Sequence, residues 1–308
     1  MASLKVWFIT GSSSGFGRLL AEELLQRGER VVATARKPQT LSFLTEQFGD
    51  QIIVPSLDVT DSEECVRAVE TALQTFGRID VLVNNAGFGV YGSLEEVPMS
   101  VVREQFETNV FGVLNVLKAA LPSMRAQRSG TILNISSIAG WMSFPGSGIY
   151  GSSKFALEGL TESLRAELLP LGINTILIEP GSFQTNFYGH NYRRIANDVE
   201  DYAETAGKTL EFFDSFQGHQ PGDPVKAIKA MIDIADHPNP PLRLLLGSDA
   251  YDRATANLKS VQQNFEEWET MTRSVDKSYS RPYRRKTLLN ISQGSGLANS
   301  SVFIGSNR

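Results

Sequence analysis

A tyrosine and a lysine stand four residues apart in the stretch GIYGSSKFALEGL, residues 148–160. That is about one helical turn, so Tyr150 and Lys154 share a helix face. A free phenol titrates near pH ~10 and is a poor base at neutral pH. An ammonium one turn away favours the phenolate by direct charge interaction. Lowering the phenol by about 3 units requires roughly 4 kcal/mol, within reach of a partly desolvated ion contact. The pair therefore reads as a proton-transfer group suited to carbonyl–alcohol interconversion. Hydride addition to a ketone leaves an alkoxide that must gain a proton, and the reverse reaction must lose one. Surface decoration of a helix that packs closely through its small residues is the competing account.

The elements that must position this pair alternate along the chain. Apolar, β-branched runs at 5–10, 30–34, 51–57, 81–85, 130–136, 174–180 and 243–247 read as strands. Helical patterns lie between them, near 15–28, 39–48, 61–77, 99–128, 148–169, 223–236 and 249–270. Such alternation predicts an α/β, Rossmann-like, doubly wound, seven-stranded parallel sheet with helices on both faces. The spacing supports one domain over 1–280, a substrate-binding lid over 183–222 and a basic polar extension over 281–308.

The first strand runs into TGSSSGFG, which places Gly11, Ser13, Ser14, Gly15, Phe16 and Gly17 in the turn that opens a helix. Glycines there let backbone N–H groups and the helix dipole approach a pyrophosphate. No Lys-Ser or Lys-Thr follows, which excludes a triphosphate loop. At the end of the second strand, where NAD-binding chains usually carry an acid, this chain has Ala35, Arg36 and Lys37. Arg36 can pair with a 2′-phosphate, favouring NADP (NADPH); a solvated surface arginine is the alternative. In LDVTD, Asp58 and the adjoining Val59 stand where adenine would lie, and a helix N-cap explains the aspartates equally well. Ser136 and Ser137 follow the fifth strand, and alternation allows only one hydroxyl to face the site.

TGSSSGFG, NNAG at 84–87, Asn109 in ETNVFG, ISS at 135–137, YGSSK at 150–154 and PG at 180–181 occur together. In order and spacing the chain resembles the short-chain dehydrogenase/reductase family over about residues 4–250. The resemblance implies a single-domain Rossmann fold, a nicotinamide cofactor and a reacting group of Asn109, Ser137, Tyr150 and Lys154. It implies Tyr150 as acid and base, and Lys154 on the nicotinamide ribose. Ser137 would sit on the substrate oxygen, and Asn109 would hold a relay water. Asn84, Asn85, Ala86 and Gly87 would lie beside the cofactor, with Pro180, Gly181, Phe183 and Thr185 at its nicotinamide end. Family members usually pair through the helices at 99–128 and 148–169, implying a homodimer or homotetramer.

Aromatic residues crowd the loops at the strand ends: Phe88 and Tyr91 with Val90, Trp141 and Phe144 with Met142, and Phe183, Phe187 and Tyr188. Ser137, Trp141, Phe187 and Tyr188 are the expected substrate contacts, implying a fairly large apolar ketone or alcohol; packing of the lid accounts for some of these rings. A non-redox isomerase, dehydratase or cyclase on the same scaffold is the alternative, as is a nicotinamide-sensing binding protein.

Composition narrows the class. Hydrophobic residues at 41% and charged residues at 20% of 308 fit a folded protein. No apolar run approaches the roughly 20 residues a bilayer span needs. The net charge of −5 gives no general attraction to nucleic acid. Residues 281–308 carry four Arg and one Lys without an acid, a docking arm or a solvated extension. The start of the chain runs straight into a strand, and the single Cys65, in a helical pattern, reads as a packing thiol; both predict a cytoplasmic protein. His190 and His219 lack metal-ligand spacing, so no metal is expected.

Overall fold

The computed structural model describes residues 4–185, 191–196, 198–216 and 218–276. Seven strands pair in parallel: β1 (Val6–Ile9), β2 (Arg30–Ala33), β3 (Ile52–Ile53), β4 (Val81–Asn84), β6 (Gly130–Ile135), β7 (Ile173–Pro180) and β9 (Arg243–Leu246). Their order is β3-β2-β1-β4-β6-β7-β9. Strand order reverses between β1 and β4, and doubly wound sheets bind ligands at the strand ends beside such a reversal. β3 is shorter than expected because Pro55 can donate no ladder hydrogen bond; only an isolated bridge, Ala35 to Ser56, continues it.

Period-two alternation feeds both faces of the sheet. Trp7 and Ile9 of β1 pack with Leu20, Leu24, Leu44 and Met231 from α1 (Gly15–Gln26), α2 (Ser42–Phe48) and the helix Pro224–Ala235. Val6 and Phe8 pack on the other face with Ala68, Val113 and Leu157 from α3 (Ser62–Phe76), α5 (Gly112–Gln127) and α6 (Gly148–Leu168). Burying these side chains at about 25 cal/mol per Å² holds the strand ends in register around the crevice. Cys65 is buried in the second layer, its thiol pushed up to about 12 by desolvation and neighbouring carboxylates, as a packing role requires.

Two segments are more elaborate than the sequence reading. The helix expected over 99–128 is α4 (Met99–Phe106), a π turn (Glu107–Phe111) and α5, with Asn109 inside the π turn. The segment 183–222, expected as a substrate-binding lid, carries a strand, β8 (Tyr192–Arg194), parallel to β5 (Gly89–Tyr91), and a helix, Lys208–Ser215. The residues up to Leu258 form one compact unit and those from Lys259 a second. Among the described residues of the second unit, 259–276, every one is exposed, so they add no core.

Candidate active site

The nucleotide end is shaped by backbone. Gly11 has φ +68°, and a Cβ there would come within 2.8 Å of the Ala86 Cα. Only glycine serves where a left-handed turn meets a neighbouring strand end. Ser14 precedes α1 without a side-chain cap, so the first-turn N–H groups remain for a ligand. Asn85 locks the turn: its Nδ2 donates to the Thr10 and Gly11 carbonyls at 2.9 and 3.0 Å.

One cavity of about 1110 Å³ runs from this turn to the tyrosine and lysine. Gly11, Ser13, Ser14, Gly15, Phe16, Arg36, Asp58, Val59, Asn85, Ala86 and Gly87 line one part of it. Pro180, Gly181, Phe183 and Thr185 line it beyond, then Ser136, Ser137, Tyr150 and Lys154. Arg36 is exposed and has no ion-pair partner among the described residues. Asp61, not Asp58, caps α3, accepting from the Glu63 and Glu64 amides at 2.8 and 3.0 Å. Asp58 is left at the cavity wall, accepting from Thr60. The uncapped helix end and the glycine turn offer backbone N–H groups to a phosphate, and Arg36 adds a cation to the same cavity.

At the reacting end, Lys154 is 7% exposed and its Nζ donates to the Ile135 carbonyl at 2.7 Å. Burial lowers its pKa to about 8, opposed by the charge of Glu158. The ammonium lies 5.7 Å from the Tyr150 ring centroid, which puts the two side chains on one helix face. The two serines separate as alternation requires: Ser136 Oγ donates to Glu158, whereas Ser137 Oγ accepts from the Ala139 amide.

Several expected site residues stand elsewhere. Asn109 lies one layer behind the cavity wall. Its Oδ1 accepts from the Phe88 amide at 3.1 Å, and its Nδ2 donates to the Phe88 carbonyl at 2.9 Å and to Ser153 at 3.2 Å. Gln105, one turn earlier, grips the same segment through the Val90 amide and the Phe88 carbonyl. This pair of amides at i and i+4 was readable in the sequence and overlooked. Asn84 turns into the fold, donating to Asn134, which donates to Thr161. Gly17 packs rather than lines: its Cβ would fall 2.5 Å from Gly11 O and Asn85 Nδ2. Trp141 is drawn behind the Ser137 turn, its indole N–H on Glu179 at 2.8 Å, and is not a cavity wall. Phe187 and Tyr188, like His190, lie outside the described residues.

The substrate end is instead walled by a ring cluster around Tyr91. Its centroid lies 5.5 Å from Tyr150, 4.7 Å from Tyr192 and 5.4 Å from Phe213. β5 and β8 bring these rings together, and Glu96 straps the next segment by accepting from the Asp198 and Val199 amides. No group of three or more potential metal ligands occurs among the described residues.

The short chain dehydrogenase family model matches residues 5–194. Oxidoreductase BOA17 of Botryotinia fuckeliana is 36% identical over 87% of this chain and 98% of its own length. The 3-ketodihydrosphingosine reductase of Bacteroides thetaiotaomicron is 40% identical over 79% of this chain and 88% of its own. A short-chain dehydrogenase structure from Streptomyces avermitilis superposes with TM-score 0.84 at 42% identity, covering 89% of this chain and 100% of that one. More distant structures hold either dinucleotide. An alcohol dehydrogenase from Thermococcus sibiricus is complexed with 5-hydroxy-NADP (26% identity, TM-score 0.65, 79% and 96% covered). A Burkholderia phymatum protein is complexed with NAD (25% identity, TM-score 0.71, 87% and 95% covered).

Proposed function

The chain belongs to the short-chain dehydrogenase/reductase family, and from that premise we propose that it interconverts a secondary alcohol and a ketone on a fairly large apolar substrate, using NADP(H) and Tyr150 as general acid and base. The observation that carries this reading is one cavity that joins an uncapped helix N-terminus to Ser137, Tyr150 and Lys154. Arg36 favours NADP over NAD by offering a cation where NAD-binding chains usually offer an acid. Asp58 and Val59 would flank the adenine, and Pro180, Gly181, Phe183 and Thr185 the nicotinamide. The cofactor, when bound, supplies or accepts the hydride.

The chain's own groups handle the proton. Ser137 orients the substrate oxygen, and Tyr150 gives that oxygen a proton or takes it away. Lys154, held on the Ile135 carbonyl, keeps its ammonium beside the phenol below its pKa of about 8 and so favours the phenolate. Asn109 braces the Phe88 segment that faces them. The Tyr91 cluster supplies an apolar wall, and one bacterial relative is by name a reductase of a keto substrate. Pairing of subunits through α4, α5 and α6 belongs to the same reading; Phe111, in the π turn between α4 and α5, and Phe155 of α6 are each 48% exposed.

Turnover of bulky ketones, followed at the nicotinamide absorbance, tests this. Consumption of NADPH in preference to NADH is the expected result. Tighter binding of NADH removes the role of Arg36, and product without nicotinamide consumption replaces redox chemistry with isomerisation.

A further inference from the structure

Behind the Ser137 turn the fold buries two carboxyl groups that the proton transfer does not use. Glu179 of β7 is 0% exposed and Glu158 of α6 is 6% exposed. One guanidinium serves both: Arg243 Nε lies 2.9 Å from Glu158 Oε2 and 3.4 Å from Glu179 Oε1. Its Nη2 also donates to Glu162 at 2.7 Å.

Each glutamate holds one end of the same turn. Glu158 Oε1 accepts from Ser136 Oγ at 2.5 Å, and Glu179 Oε2 accepts from Trp141 Nε1 at 2.8 Å. The Arg243 guanidinium lies 5.2 Å from the Trp141 ring centroid. Gly140 between them has no room to move inward: a Cβ there would fall 2.9 Å from Glu158 and 3.0 Å from Ser136 Oγ. Ser137 sits inside this clamped turn.

Two buried carboxyl groups thus meet a single guanidinium, so within the cluster one of the two negative charges lacks a counter-ion unless a proton is held between them. Glu179 Oε1 is buried without a hydrogen-bond partner, on the side of the guanidinium that Glu158 shares. We propose that Glu158, Glu179 and Arg243 form a positioning cluster in which the two carboxyl groups share one proton, and that this proton holds the Ser136–Trp141 turn, and with it Ser137, in its substrate-orienting geometry. Desolvation raises both carboxyls, Glu179 to about 8. The charged groups around them are Lys154 and Glu162, one turn to either side of Glu158 on α6, and Arg243 from β9; the turn itself contributes only the neutral Ser136 and Trp141. Loss of the proton sets two anions side by side against a turn clamped at both ends, and the turn must shift.

The kinetic arm of the test rests on the redox reading; a stability arm does not. Glu179→Gln keeps an N–H where the shared proton lies, and Glu179→Leu removes it. Glu179→Gln should match the wild type in kcat/KM within about twofold near pH 6.5 and exceed it about threefold or more near pH 9, because Lys154 titrates in both proteins whereas only the wild type also loses the shared proton. Glu179→Leu should lose about tenfold or more at both values, and a merely structural role would leave every ratio constant with pH. In the stability arm, the folded carboxyl keeps its proton above its ordinary 4.5, so its contribution is full below 4.5 and is lost as pH rises through about 8. The Tm of the wild type should therefore fall relative to Glu179→Gln across that interval. A protein that reduces no ketone fails the redox reading while the Tm comparison still decides the shared proton. Tm and kcat/KM ratios independent of pH, or a Glu179→Gln as impaired as Glu179→Leu near pH 6.5, overturn the proposal.

Discussion

The two ends of the cavity are built by different means. At the nucleotide end the shape is backbone: a left-handed Gly11, an uncapped α1 and an Asn85 amide tie one turn to the neighbouring strand end. At the substrate end it is side chains from distant segments, with Tyr91, Tyr150, Tyr192 and Phe213 meeting through a two-stranded sheet and the Glu96 strap. A backbone site tolerates no added atom, and in the proposed reading it leaves the choice of nucleotide to one polar group, Arg36. A side-chain wall spreads its binding over many contacts, so single losses in the wall are small, the proton-handling Tyr150 and Lys154 excepted.

That contrast ranks the effects of substitution. Gly17→Val places methyls where even a Cβ meets Gly11 O at 2.5 Å, so nucleotide binding should vanish and Tm should drop; calorimetric titration that finds wild-type affinity breaks the backbone account. Lys154→Met should lower kcat by about 10²–10⁴-fold. It should not lower stability at neutral pH. A buried ammonium with its pKa depressed to about 8 from 10.5 opposes folding below about pH 8, and that opposition is relieved as pH rises from 8 to 10.5. Denaturant titration at two pH values checks the sign. Arg36→Ala should weaken NADPH by about 10–100-fold, the worth of roughly 1.5–3 kcal/mol for a charge-assisted contact, and leave NADH nearly unchanged. Glu96→Gln, which weakens the two amide contacts of the strap, should raise KM a few-fold at constant kcat.

The same contrast explains what the sequence disclosed. All seven strands of the large sheet were legible, because their apolar runs must fill two layers, and so was the glycine turn, because its constraint is local. Ser137 was separable from Ser136 only in principle, by alternation; the Glu158 contact of Ser136 settles which hydroxyl turns inward to the fold. Asn109 was legible as an amide in an apolar helix, but the π turn around it and the grip on Phe88 depend on a segment about twenty residues away. Trp141 was misjudged since a partner on β7, Glu179, pulls its indole behind the turn. β5 and β8 are three residues each, too short for a period-two signal, and their pairing joins segments a hundred residues apart.

The central claim is that Tyr150 moves the proton. A single-turnover measurement of NADPH oxidation with a bulky ketone, comparing the wild type with Tyr150→Phe, tests it most directly when NADPH affinity is measured beside it. The account expects the hydride-transfer rate to fall by about 10²-fold or more with NADPH affinity nearly unchanged. Equal rates in the two proteins would contradict it.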